Sequence, residues 1–337
     1  MSILRNAIAR LPIDPYLLLL IGTVGLAALF PAQGVGKLIA DGAVTGAVAL
    51  LFFLYGARLS PAAVWSGIAH WRLQSLTFAS TFVLFPLVGL GAQALLRPVL
   101  SHDVLVGIVY LCLLPSTVQS SIAFTSIARG NVPAALCSAS VSNLLGVVIT
   151  PLLVSLLLPG TSVGFSAQAL RDIGMQILLP FIVGQMARPF IGEWLLRHRT
   201  LTSVADRGSV LLVVYAAFSA GMAAGIWSRL SLADLGVVLA VDLLVLGLVV
   251  VATTWSARAL RFSTEDEIAI VFCGSKKSMA GGIPMATILF PGHAVGMIVL
   301  PLMLFHQAQL FLCATLARRY AARGQVQPSD LRDGVAA

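Results

Sequence analysis

Charge is what this chain has least of. Of its 337 residues, 10% are Asp, Glu, Lys or Arg, against about 25% in an ordinary soluble domain. That scarcity, with 58% hydrophobic residues and a mean hydropathy of +0.97, excludes a water-soluble globular protein. No polar block the size of a soluble domain occurs, so the solvent is lipid. Acids are scarcer than bases, 13 against 21, giving a net charge of +8. The arginines lie in short stretches between apolar runs, where they set membrane orientation; nucleic acid is not an expected partner. The four cysteines, Cys112, Cys137, Cys273 and Cys313, sit inside apolar runs with no CxxC or metal spacing and read as small buried hydrophobes. The five histidines are scattered and form no HExxH, and no GxxxxGK[ST] phosphate loop is present. Nothing here points to an enzyme, a cofactor or a resident metal.

What is present is a series of apolar runs. A membrane span needs about 20 such residues, and ten candidates appear: 15–31, 38–57, 73–96, 104–128, 132–158, 167–190, 208–228, 234–257, 265–291 and 293–317. The run from Tyr16 to Phe30 resembles a signal peptide but is read as a retained first span. With the N-terminus inside, fifteen arginines fall on the inner side: Arg5, Arg10, Arg58, Arg72, Arg129, Arg188, Arg197, Arg199, Arg207, Arg258, Arg261, Arg318, Arg319, Arg323 and Arg332. Lys37, Arg97, Arg171 and Arg229 fall outside. This bias predicts ten spans in a cytoplasmic (inner) membrane with both termini cytoplasmic. The expected organisation is a cytoplasmic segment 1–14, five spans over 15–158, five over 159–319 and a cytoplasmic tail 320–337. Five spans per half give the second half the inverted topology common among secondary transporters.

Two spans are interrupted. Span nine carries Cys273-Gly274-Ser275-Lys276-Lys277-Ser278-Met279-Ala280-Gly281-Gly282-Ile283-Pro284, and span four carries Leu114-Pro115-Ser116-Thr117-Val118-Gln119-Ser120-Ser121. Each is the fourth span of its half. Ser116 precedes Gly130 by fourteen residues, as Ser278 precedes Gly292. A charge at bilayer depth costs between about 2.5 and 17 kcal/mol depending on how it is measured. Broken backbone at that depth is tolerated only against protein or a water-filled cavity. The expectation is helix breaks near Pro115–Gln119 and Gly274–Gly282 that approach each other and line a polar site. Lys276 and Lys277 lie about ten residues past Glu265, too deep to snorkel, and diverge by roughly 100° on a helix. At most one faces a substrate directly; the bland alternative is a structural ion pair.

Asp242 is the one acid deep in a span, read as a lysine's counter-charge, a proton carrier or a bonded structural acid. Ser138, Ser140, Ser142 and Asn143 in span five are open between packing and site roles. So are His306, Gln307 and Gln309 in span ten. Glu265, Asp266 and Glu267 read as an acidic cap on span nine.

The span-four motif, with Ala128-Arg129-Gly130-Asn131-Val132, the Cys273–Ser278 run and Phe305-His306-Gln307, resembles the bile acid:sodium symporter family. The closest likeness is to its divergent prokaryotic branch related to the seventh human member. The resemblance covers essentially the whole chain. It implies ten helices in a panel domain and a core domain, broken spans four and nine that cross, and substrate between the domains. It also implies sodium sites, and here the sequence departs. No acid occurs between Glu267 and Lys276, where the sodium-coupled members hold a glutamate, and the hydroxyls expected early in span five fall at Ala135 and Ala139. Ser120 and Ser121 remain from the span-four set. The expected function is a secondary-active, symporter-like carrier of small organic anions with its sodium ligands lost. Alternatives are a channel or regulator of ion flux, or a proton-coupled or uncoupled carrier. Beyond the bilayer and the anion no partner is implied, and no oligomeric state is legible.

Overall fold

A computed structural model describes residues 15–58, 70–158, 174–223, 225, 231–291 and 294–323. The segment 1–14, the tail from 324 and the stretch after the expected 158/159 division lie outside the described residues. Every regular element among the described residues is helical. In chain order they are α1 (Pro15–Leu29), α2 (Val35–Arg58), α3 (Trp71–Leu96), α4 (His102–Leu113), α5 (Gln119–Ile127), α6 (Val132–Leu157), α7 (Leu179–Arg197), α8 (Arg199–Ala223), α9 (Leu232–Ala259), α10 (Thr264–Gly274), α11 (Met279–Leu289) and α12 (Val295–Arg323). A π-helical turn, Ser80–Leu84, interrupts α3, and another, Gly174–Leu178, leads into α7.

Six of these helices, α2, α3, α6, α8, α9 and α12, are long and apolar enough to cross a membrane. At 1.5 Å per residue they reach about 36 Å or more, against a hydrocarbon core of about 30 Å. Local sequence sets their starts. Ser231 and Asp234 form a capping box on α9, Ser263 caps α10, Ser278 caps α11 and Asn131 caps α6.

The helices pack in two groups. In one, α1 lies against α8, and α2 lies against α7 and α8. Glycines make the α2–α7 contact possible. A Cβ on Gly56 would strike the Phe181 carbonyl, and one on Gly184 the Phe53 carbonyl. The larger group contains α3–α6 and α9–α12, and α8 touches it through α11 and α12.

Two boundaries differ from expectation. Arg188, Arg197, Arg199 and Arg207, expected in an inner loop, are helical residues; α7 and α8 meet at His198, whose N–H closes α7 on the Trp194 carbonyl at 3.0 Å. Water-solvated helix ends extend past the apolar stretch, so hydropathy undercounts them. The second break is also shorter than expected. Helix resumes at Met279, so Gly281, Gly282 and Pro284 lie inside α11. Gly282 is needed for packing: a Cβ there would run into the Leu114 and Leu302 side chains.

Candidate functional site

Helical bonding stops after Leu113 and resumes at Gln119; it stops again after Gly274 and resumes at Met279. The two gaps touch. The Ser278 N–H donates to the Pro115 carbonyl at 2.8 Å. Ser116 Oγ donates to the Cys273 carbonyl at 2.6 Å, and Ser121 Oγ to the Phe272 carbonyl at 2.9 Å.

Each break frees backbone groups, and a buried unpaired carbonyl costs about 1–3 kcal/mol. Side chains satisfy them. Around the first gap, Thr150 donates to Leu113, Asn143 donates to Ser116, and Ser142 accepts from the Ser116 N–H. Around the second, Ser80 donates to Gly274 at 2.9 Å, and Ser275 bonds back to Val271 at 2.6 Å. Gln309 brackets Lys277 from α12: its Oε1 accepts the Lys277 N–H at 3.0 Å and its Nε2 donates to the Lys277 carbonyl at 3.1 Å.

The remaining freed carbonyls meet at one atom. Lys277 Nζ donates to Thr81 at 2.9 Å, Cys112 at 2.8 Å and Leu114 at 2.7 Å, and sits 4.1 Å from the centroid of the Phe85 ring. The π turn explains why Thr81 is available: the Phe85 N–H bonds the Ser80 carbonyl and leaves the Thr81 carbonyl unclaimed. Cys112 and Leu114 are available because α4 ends there, at the negative end of its dipole. The ammonium therefore fills a cradle of three carbonyls, each such charged bond contributing about 1.5–3 kcal/mol.

Lys276 differs. It is equally buried, yet its Nζ has no hydrogen-bond partner among the described residues. It lies 4.1 Å from the Phe124 ring centroid and 5.3 Å from that of Phe272, contacts worth about 0.5–2 kcal/mol. Among the described residues neither lysine forms the structural ion pair weighed above.

Of the other candidates, Pro115, Ser116, Thr117, Ser120, Ser121, Ser275 and Ser278 all belong to this junction. Thr117 Oγ1 is 2.6 Å from Ser120 Oγ and 3.2 Å from Ser121 Oγ. Gln119 opens α5, and its side chain lies outside the described residues. His306 reaches the junction through Gln309, 2.8 Å from its Nε2. Gln307 turns to an apolar groove between α9 and α12, beside Leu239, Leu243 and Phe311. Asp242 is wholly buried within α9.

Residues that sequence reasoning missed are Ser80, Thr81, Phe85, Phe124 and Tyr110, whose hydroxyl donates to the Gly282 carbonyl at 2.6 Å. Their types are ordinary in a span, and no pattern signals a π turn. The acids opening span nine do more than cap it. Glu267 takes two 2.9 Å bonds from Arg258 and one of 2.8 Å from Tyr320, while Asp266 accepts from Asn131 at 2.8 Å. Arg129 takes a positive φ of 61°, and the Asn131 N–H donates to the Glu265 carbonyl at 2.9 Å. The Arg129-Gly130-Asn131 run thus pins the α5–α6 turn to the start of α10.

Six apolar helices long enough to span, beside two further helix pairs broken at a shared buried polar junction, are the architecture of a multi-pass membrane protein. Comparison with known proteins agrees. Residues 14–322 match the SBF-like CPA transporter family, and the chain belongs to that family. It is 50% identical over 309 residues to the "Putative symporter YfeH" of Escherichia coli, covering 91% of this chain and 93% of that one. It is 53% identical over 312 residues to "Uncharacterized protein PA2026" of Pseudomonas aeruginosa, covering 92% and 93%. The "Sodium/bile acid cotransporter 7" of Rattus norvegicus is 29% identical over 302 residues, covering 87% and 88%.

Proposed function

We propose that this protein is a secondary-active carrier of small organic anions in the cytoplasmic membrane, working by alternating access without bound sodium. The observation that carries the reading is the Lys277 cradle. An ammonium held by three carbonyls between two helix breaks has the charge and the oxygen shell that a sodium ion would need. A side-chain cation there makes a soluble one unnecessary. Lys276, with no acceptor of its own, is the charge left to meet a substrate anion.

Ten spans account for the helices if α4 with α5, and α10 with α11, each count as one interrupted span. The packing supports two inverted five-span repeats. Span one lies on span seven and span six on span two, the exchange that such a symmetry requires. Spans one, two, six and seven would form the panel, and the remaining six the core. The arginine distribution supports a cytoplasmic side for both termini. The substrate path would run along the seam where α8 meets α11 and α12. The names of the relatives support symport and an anionic substrate class, bile acid among them.

The test is uptake into proteoliposomes of a panel of radiolabelled anions, from succinate to taurocholate. Saturable uptake and counterflow of at least one anion are expected. Fluxes no faster than through empty liposomes for every anion would contradict the reading.

A further inference from the structure

Asp242 stands apart from every other acid whose side chain is described. It lies ten residues into the 28-residue α9, about 15 Å from the start of the helix. None of it is exposed, and neither carboxyl oxygen has a hydrogen-bond partner among the described residues. Its neighbours on the buried face of α9, Val238 and Val245, are apolar. Glu267 shows how this fold treats an acid it keeps for structure: three donated bonds, from Arg258 and Tyr320. Asp242 receives none. An ionised carboxylate left so would cost several kcal/mol, and a neutral carboxyl far less. Asparagine or leucine would pack there at no such cost, so the residue is not explained by structure.

The surroundings narrow what it binds. The Cys112 thiol of α4 lies within electrostatic reach. Beyond it, the Cys112 carbonyl holds Lys277 Nζ at 2.8 Å. On α12 the titratable group at similar depth is His306, engaged with Gln309. The charged residues of α3 and α10 lie near helix starts: Arg72, and Glu265, Asp266 and Glu267. A sodium ion needs several oxygen ligands, and Asp242 is a lone carboxyl among apolar groups. A proton needs only one. Asp242 acts on the Cys112 thiol through space, and the Cys112 carbonyl is part of the cradle, so a shift of α4 at the break alters the surroundings of both.

We propose that Asp242 is the proton-binding site that couples anion transport to the proton gradient. It takes H⁺ from one aqueous side as a carboxyl O–H, and releases the same H⁺ to the other side once the carboxylate is hydrated. This inference rests on the transport reading, and the test separates the two. Infrared difference spectra between the wild type and Asp242→Asn, both in lipid vesicles, need no substrate. A carboxylic-acid C=O stretch present in the wild type and lost in D242N is expected; carboxylate bands alone overturn the proposal. In proteoliposomes carrying a trapped pH dye, succinate or taurocholate uptake by the wild type should move protons inward. One proton per monoanion gives about tenfold accumulation per pH unit. D242N should lose proton movement and accumulation while keeping or raising its thermal midpoint. Equal proton movement in D242N, uptake without proton movement in the wild type, or a large drop in the D242N midpoint overturns the assignment. If no probe is carried, the transport reading fails on its own and the spectra still decide whether Asp242 holds a proton.

Discussion

Exchanging each buried lysine for methionine should have opposite consequences, although the two residues are adjacent and equally buried. Both ammonium groups are fully withdrawn from solvent, and each lies 4.1 Å from an aromatic ring centroid. Methionine keeps much of the stem volume and a favourable sulfur–ring contact. Dehydration of the cation and loss of the 4.1 Å cation–π contact are therefore common to both variants and cancel in their difference, leaving the second, 5.3 Å contact of Lys276 with Phe272 as a smaller term of about 0.5–1 kcal/mol. The larger difference is the carbonyl cradle. Lys277→Met strands Thr81, Cys112 and Leu114, each buried acceptor costing about 1–3 kcal/mol, so the pair should differ by about 3–9 kcal/mol. At roughly 2 °C per kcal/mol for a chain of this size, the midpoint of Lys277→Met should lie at least about 6 °C below that of Lys276→Met. Relative to the wild type, Lys276→Met should be neutral or stabilising, because it removes a buried charge that has no acceptor. Thermal unfolding in detergent, followed by tryptophan fluorescence, measures both. Equal midpoints, or a lower one for Lys276→Met, would refute the division of roles between the lysines.

Three further outcomes are expected. Cysteine at Arg97 should react with an impermeant maleimide from outside the cell, and cysteine at Thr264 only from the cytoplasm; the reverse would overturn the orientation. Arg258→Met removes two of the bonds to the buried Glu267 carboxylate while Tyr320 still donates, and should cost about 1–3 kcal/mol because the Arg258 side chain is partly solvated, read as a lower thermal midpoint; an unchanged midpoint would show that the pair is solvated. Gly282→Val pushes a branched side chain into Leu114 and Leu302, and overpacking of this kind costs about 1–3 kcal/mol. Its midpoint should fall, whereas Gly236→Val, with open space around it, should change little.

The helices and both breaks were legible because lipid enforces long apolar runs, and because proline, lysine and clustered hydroxyls are costly inside them. Pro115 and the Lys276-Lys277 pair marked their gaps for that reason. The extent of the second break was overestimated: Gly281, Gly282 and Pro284 suggest broken backbone, but all three lie in α11, where Gly282 lets the helix approach Leu114 and Leu302 closely. The serines of span four read as site residues, and in the structure Ser116 and Ser121 donate to carbonyls across the junction, a use that composition does not distinguish from ion binding. The cradle was illegible because its acceptors are backbone atoms. Thr81 becomes an acceptor only through the π turn in α3, and Cys112 only because α4 ends beside it. Sequence pointed to the donor and carried no mark of the three groups that receive its bonds.

If the Lys277 ammonium stands where a sodium ion would otherwise be needed, initial uptake rates in proteoliposomes with sodium or potassium as the sole external cation, for the wild type and Lys277→Gln, will show it. The wild type should transport at the same rate in either salt, while Lys277→Gln should be inactive or active only in sodium. Strict sodium dependence of the wild type, with Lys277→Gln fully active, would contradict it.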